Sequence, residues 1–125
     1  MKTIILAMIR KPVAQGLMIK LSGDSGVRLT HEPDYAIAEE TIRALCADTA
    51  LIEVAESGEY DADFCLKLCS RLRKEAPACR LLILCPEQDK QSVSAVVEAM
   101  RIKQIDDFLF YDMTTDYIAS KLMAI

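Results

Sequence analysis

Residues 79–100 read CRLLILCPEQDKQSVSAVVEAM, and two periodicities meet in that stretch. The opening CRLLILC is an unbroken apolar run, the pattern of a strand covered on both faces. After PEQD, the residues Val93, Val96, Val97 and Met100 recur at helical spacing and form one apolar stripe. A buried strand followed at once by a helix is the repeating element of a parallel sheet, because parallel neighbours need a long crossover.

The alternation continues in both directions. Upstream, TIILAMI (3–9) is a continuous apolar run; after Pro12, Val13, Leu17 and Leu21 recur every four residues until SGDSG supplies turn chemistry. VRLTHE (27–32) predicts a short strand, and Asp34 can cap a helix whose stripe is Ile37, Thr41 and Leu45, with Glu39 and Glu40 on its exposed side. TALIEVA (49–55) predicts a further buried strand, ESGEYDAD (56–63) is the most loop-like segment, and Phe64, Leu68 and Leu72 mark a helix that stops before Pro77. Downstream, DFLFY (107–111) predicts a last strand and Ile118, Leu122 and Ile125 a closing helix.

Five β–α units in 125 residues are too few for an eight-unit barrel, which leaves a single α/β domain over 1–125: an open doubly wound parallel sheet with helices on both faces. Functional groups on such sheets collect at the carboxyl ends of the strands.

Composition narrows the function. Apolar residues make up 52% and charged residues 27%, with 4 Gly and 4 Pro, which excludes a disordered or low-complexity chain. Fifteen Lys and Arg against nineteen Asp and Glu leave a formal charge of −4, and the only basic clusters, LRKEAP and RIKQ, are flanked by acids. Direct nucleic-acid binding is therefore not expected. TIILAMI falls far short of the roughly 18 residues of a membrane span and lacks signal-peptide flanks, so the expectation is a cytoplasmic protein without membrane contact.

Several single residues invite sharper readings. The cysteines at 46, 65, 69, 79 and 85 are odd in number, sit in apolar segments and form no CxxC pair, which predicts reduced, packed thiols rather than disulfides or zinc. Cys65 and Cys69 lie one turn apart, but among Phe64, Leu66 and Leu68 they read as small core residues. His31, beside Glu32 and Pro33, reads as a surface residue with no catalytic partner. Gly23 and Gly26 follow a helix and precede a strand, the reverse of a phosphate loop. The acids at 56, 59, 61 and 63 do not fit a Ca²⁺ loop and read as a solvated surface.

The strand ends ILAMI, ALIEVA, LLILCP and DFLFYD, with KPVAQGL, KLCSRLRKEAPACRLLILC and DDFLFYDMTTDYIASKL around them, resemble the receiver domain of bacterial response regulators along the whole chain. The resemblance implies a flavodoxin-like (βα)5 sandwich with strand order 2-1-3-4-5 and a role in two-component signal transduction or a phosphorelay. It also implies a phosphoryl site: a strand-end Asp as acceptor, two acids after the first strand for Mg²⁺, a hydroxyl after the fourth strand and a Lys after the fifth. The carboxylate attacks phosphorus, the cation neutralises the equatorial oxygens, and the hydroxyl and ammonium hold them.

None of these groups is present in its expected form. The acceptor position holds Glu53; the metal positions fall at Met8 and Ile9, or at Ala7 and Met8 in a register one residue earlier; the hydroxyl position holds Cys85 and the Lys position Tyr111, while Phe108 keeps the switch aromatic. The expectation is a pseudo-receiver with no cofactor, no metal and no enzymatic activity. Met8 and Ile9 would fill the vacated volume, with Tyr111 and Cys85 as an apolar lid, and Glu53 would be either a permanent charge mimic or a solvated acid.

Such a module would act through a protein partner or a homodimer on the face of the fourth helix, fifth strand and fifth helix, with Val93, Val97, Met100, Arg101, Phe108, Tyr111 and Tyr117 as candidate contacts. Two other functions stay open at this stage. One is a small-ligand or sensor domain using the strand ends, for which Glu53, Tyr111 and Asp112 are the polar supply; the other is a receiver phosphorylated unconventionally on Glu53. No output domain follows Ile125, which fits either a stand-alone protein or a receiver-like part of a larger regulator.

Overall fold

The computed structural model describes residues 1–125. In chain order the elements are β1 (Lys2–Ala7), α1 (Lys11–Leu21), β2 (Val27–Glu32), α2 (Tyr35–Ala44), β3 (Thr49–Glu53), α3 (Ala62–Glu75), β4 (Arg80–Cys85), α4 (Lys90–Arg101), β5 (Asp107–Phe110) and α5 (Thr115–Ala124). All strand pairs are parallel, in the order β2-β1-β3-β4-β5, as the resemblance implied. The order reverses at β1, so the exits of β1 and β3 lie side by side with Ala7 paired to Ile52.

Period-two alternation along fully covered strands divides the interior into two cores. Ile5, Ala7, Ala50, Ile52, Leu81, Ile83 and Cys85 face α2, α3 and α4. Ile4, Leu6, Met8, Leu51, Leu82, Leu84 and Leu109 face α1 and α5. Each Leu or Ile buried in this way contributes roughly 1.5–3 kcal/mol.

The helix starts follow local chemistry. Asp34, Asp61, Asp89 and Thr114 each accept from backbone N–H groups of the first turn of α2, α3, α4 and α5. Helix α1 differs: its N-cap is Arg10, which makes no side-chain cap, and Pro12 stands in the first turn.

Two apolar stripes are corrected. On α2 the buried residues are Tyr35, Ala38 and Ile42, whereas Ile37 and Leu45 are exposed. The Tyr35 ring stacks on Tyr60, with centroids 3.8 Å apart, and small Ala38 lets the helix approach the sheet; a stripe chosen on aliphatic residues alone selects the wrong face. On α4 the buried set is Ser92, Val96 and Ala99; Val93 is half-buried, and Val97 and Met100 face solvent.

Candidate functional site at the strand exits

Four side chains, those of Arg10, Tyr35, Cys65 and Tyr111, gather around the last residue of β3. Glu53 is 1% exposed, the only charged side chain in the chain that is fully buried. Its Oε1 accepts from the backbone N–H groups of Ile9 (2.8 Å) and Arg10 (3.2 Å), which the β1–α1 turn aims across the neighbouring strand exit. Its Oε2 accepts from Arg10 Nε in a close ion pair. Its backbone carbonyl accepts from the Tyr35 hydroxyl at 2.6 Å and from Cys65 Sγ at 3.5 Å.

Tyr111, just beyond β5, completes the group. The Arg10 guanidinium lies 3.6 Å from the centroid of its ring, a stacked cation–π contact. Its hydroxyl donates to the Val54 carbonyl, so Tyr35 and Tyr111 pin two consecutive carbonyls at the exit of β3. Burial pushes the Tyr111 phenol above its ordinary range, Glu53 adds to the rise and Arg10 opposes it. Burial likewise pushes the Cys85 thiol up to about 11, with Asp89 and Glu87 adding to the rise.

Both carboxylate oxygens of Glu53 are taken by donors, one of them by a guanidinium, and no group of three His, Cys, Asp or Glu side chains is placed to hold a metal. A divalent cation therefore does not fit the residues present: it would have to displace Arg10 and then rely on one carboxylate. Above the ion pair lies a cleft of about 250 Å³, lined by Ile9, Arg10, Glu53, Glu56, Ser57 and Tyr111.

Sequence reasoning meets this arrangement unevenly. Met8 is fully buried in the core against α1 and α5, whereas Ile9 is 43% exposed and contributes its N–H to Glu53. Glu53 is not a solvated acid, and the lid over it is a guanidinium stacked on a phenol rather than an apolar pair. Arg10 was missed. The available signal was an Arg directly after the first apolar run, on a strand that the expected order places beside Glu53.

Other expectations divide in the same way. His31 is half-buried, and its Nε2 donates to the Met8 carbonyl at 2.8 Å, bracing the turn that carries Ile9 and Arg10. Cys65, Cys69, Cys79 and Cys85 are buried and unpaired, whereas Cys46 is exposed, at a left-handed φ of 49° just after α2. Among the expected contact residues, Val97 (49%), Met100 (39%) and Tyr117 (46%) are exposed. Arg101 is exposed and paired with Glu98, while Phe108 is half-buried edge-on to Phe110 with centroids 5.5 Å apart. These residues flank the edge strand β5, those of α4 on one face of the sheet and Tyr117 of α5 on the other.

No family model and no curated protein sequence matches the chain. Solved structures do match its fold. A response regulator from Thermotoga maritima superposes with a TM-score of 0.75 at 20% identity, over 98% of this chain and 94% of that one. A DNA-binding response regulator of the LuxR family from Staphylococcus aureus gives 0.77 at 10% identity, over 98% and 97%. A structure described as a novel family of redox sensors in the streptococci that evolved from two-component response regulators gives 0.79 at 14% identity, over 99% of this chain and 50% of that one. The architecture is thus that of response-regulator receiver domains. No helix is long and apolar enough to cross a membrane.

Proposed function

We propose that this chain is a receiver-like signalling module in which phosphoryl chemistry has been given up and which works through protein–protein contact. The observation that carries the reading is the state of Glu53: a buried carboxylate at the expected acceptor position, both of its oxygens engaged and one of them paired with Arg10. An acyl-phosphate-forming carboxylate must present a free oxygen in line with the leaving group, with cationic charge on the transferring phosphoryl. Here the cationic charge is spent on the nucleophile itself. Residues 7–9 supply no carboxylate, Cys85 offers a buried thiol in place of a hydroxyl, and Tyr111 offers a phenol in place of an ammonium.

The contact face is the one built from α4, β5 and α5, where Val97, Met100, Arg101 and Tyr117 are exposed, with half-buried Phe108 and Tyr111 behind them. Met, Tyr and Arg suit the centre of an interface. The partner is a protein or a second copy of the chain, and the module is not an enzyme. The streptococcal neighbour, described as a redox sensor evolved from two-component response regulators, supports the idea that this fold can take on another signalling role. Redox sensing itself has little support in this chain, because burial raises the Cys69 and Cys79 thiols to about 12 and the Cys85 thiol to about 11.

The test is intact mass after incubation with Mg²⁺ and a small acyl phosphate, under conditions that preserve acyl phosphates. The expected result is an unchanged mass. A phosphoryl adduct on Glu53 would overturn the proposal in favour of unconventional phosphorylation.

A further inference from the structure

Burying a carboxylate as deeply as Glu53 is costly without a counter-charge, and the chain supplies its own. Arg10 is the sole ion-pair partner of Glu53, and it reaches the carboxylate from the N-cap of α1. Its guanidinium does two things at once, since the plane that bonds Glu53 also lies on the Tyr111 ring. Tyr111 in turn sits at a junction. Its N–H donates to Cys85 at the end of β4 (3.1 Å) and its hydroxyl to Val54 beyond β3; Met113 N–H then closes a turn onto Phe110, and Thr114 caps α5.

We propose that Arg10 is a resident counter-ion performing the task that a bound cation performs in a ligand-operated site, and that Tyr111 transmits its position to the β5–α5 junction. The disposition of the α4–β5–α5 face is then set by an internal ion pair. What that face is used for rests on the functional reading above; the coupling from Arg10 to Tyr111 does not.

The pair is held but not saturated. Arg10 Nη2 is buried with no hydrogen-bond partner, so outward rotation of the side chain would regain bonds to water that the closed position forgoes. The same rotation would leave Glu53 unpaired and uncover one face of the Tyr111 ring. Arginine suits this double role because its flat, delocalised group can bond in its plane and stack on its face, and a lysine ammonium can do only the first.

The experiment is backbone amide NMR on the native chain and on Arg10→Ala, Arg10→Lys and the double variant Arg10→Ala/Glu53→Gln. The double variant keeps the test valid if Arg10→Ala alone unfolds, because neutralising Glu53 removes the unpaired buried charge while the stacking stays absent. In every folded variant the amides of Val54, Tyr111, Asp112 and Thr115–Tyr117 are expected to shift or broaden, while those at the opposite end of the strands, near Thr49 and Arg80, hold their positions. Native-like resonances from Tyr111 to Tyr117 in the folded double variant would refute the coupling. A phosphoryl adduct on the native protein would instead refute the functional reading and leave the coupling intact.

Discussion

The Arg10 side chain bonds the buried Glu53 carboxylate through Nε while its guanidinium rests 3.6 Å from the Tyr111 ring centroid, so one residue closes the strand exits of β1, β3 and β5 together. Stability at this end of the sheet should therefore depend on charge matching rather than on apolar packing.

Removing one partner of the pair exposes that dependence. Arg10→Ala should lower the unfolding free energy by about 3 kcal/mol, the lower end of the range for breaking a buried pair, because Arg10 is itself partly exposed. Adding Glu53→Gln should recover much of the loss. Urea unfolding of the native chain, both single variants and the double variant gives the cycle directly, and purely additive losses would contradict the pairing.

Tyr111→Phe keeps the ring beneath the guanidinium and removes only the hydroxyl that satisfies the Val54 carbonyl. A loss of about 1–3 kcal/mol is expected, the cost of an unpaired buried acceptor. Thermal unfolding measures it, and an unchanged midpoint would show that water replaces the phenol.

The thiols set an alkaline limit. The folded state holds the protons of Cys69 and Cys79 up to about pH 12 and that of Cys85 up to about 11, whereas an unfolded cysteine releases its proton near 9. Their contribution is complete below about pH 9 and is lost as pH rises toward those folded values, each group steepening the fall by about 1.4 kcal/mol per pH unit. Urea midpoints from pH 8 to 10.5 should decline, and serine at these three positions should flatten the decline. In the same pH range a thiol reagent should label Cys46 rapidly and the other four cysteines only on unfolding.

On the proposed contact face, Val97→Asp and Met100→Asp should change folding stability by less than about 0.5 kcal/mol, since both side chains already meet solvent. Sedimentation of the native chain over a range of concentrations then reports on self-association. If the face joins two copies, these substitutions should return the chain to monomer; a dimer that survives both places the self-contact elsewhere.

The fold was legible because its signal is coarse and repeated. Continuous apolar runs such as CRLLILC and TIILAMI have one use in a chain of this size, and Asp34 marks a helix start by chemistry that acts within three residues. Asp61 and Asp89 cap their helices in the same way, but Asp61 reads in the sequence as part of a solvated loop. The α2 and α4 faces were harder to read. Tyr35 and Ala38 face the core for reasons of ring stacking and close approach, which an aliphatic count does not register, and Ser92 is buried because its hydroxyl bonds Asp89.

The candidate site shows the same division. Met8, Glu53, Cys85 and Tyr111, at the positions where the resemblance to receiver domains would place a phosphoryl site, can be read from four letters of the sequence. That Arg10 replaces the missing cation is a contact across 43 residues, and it depends on the turn after β1 aiming two N–H groups and a guanidinium at one carboxylate. An isolated Arg after an apolar run announces none of this.

The central claim is that the Glu53 pocket already contains its cation. Titration of the ¹⁵N-labelled native chain with Mn²⁺ addresses it most directly, because a bound paramagnetic ion erases the amide signals around it. The amides of Ile9, Arg10, Glu53 and Tyr111 should keep their intensity relative to those beside exposed acids such as Glu59 and Asp63; selective early loss of those four signals would contradict the account.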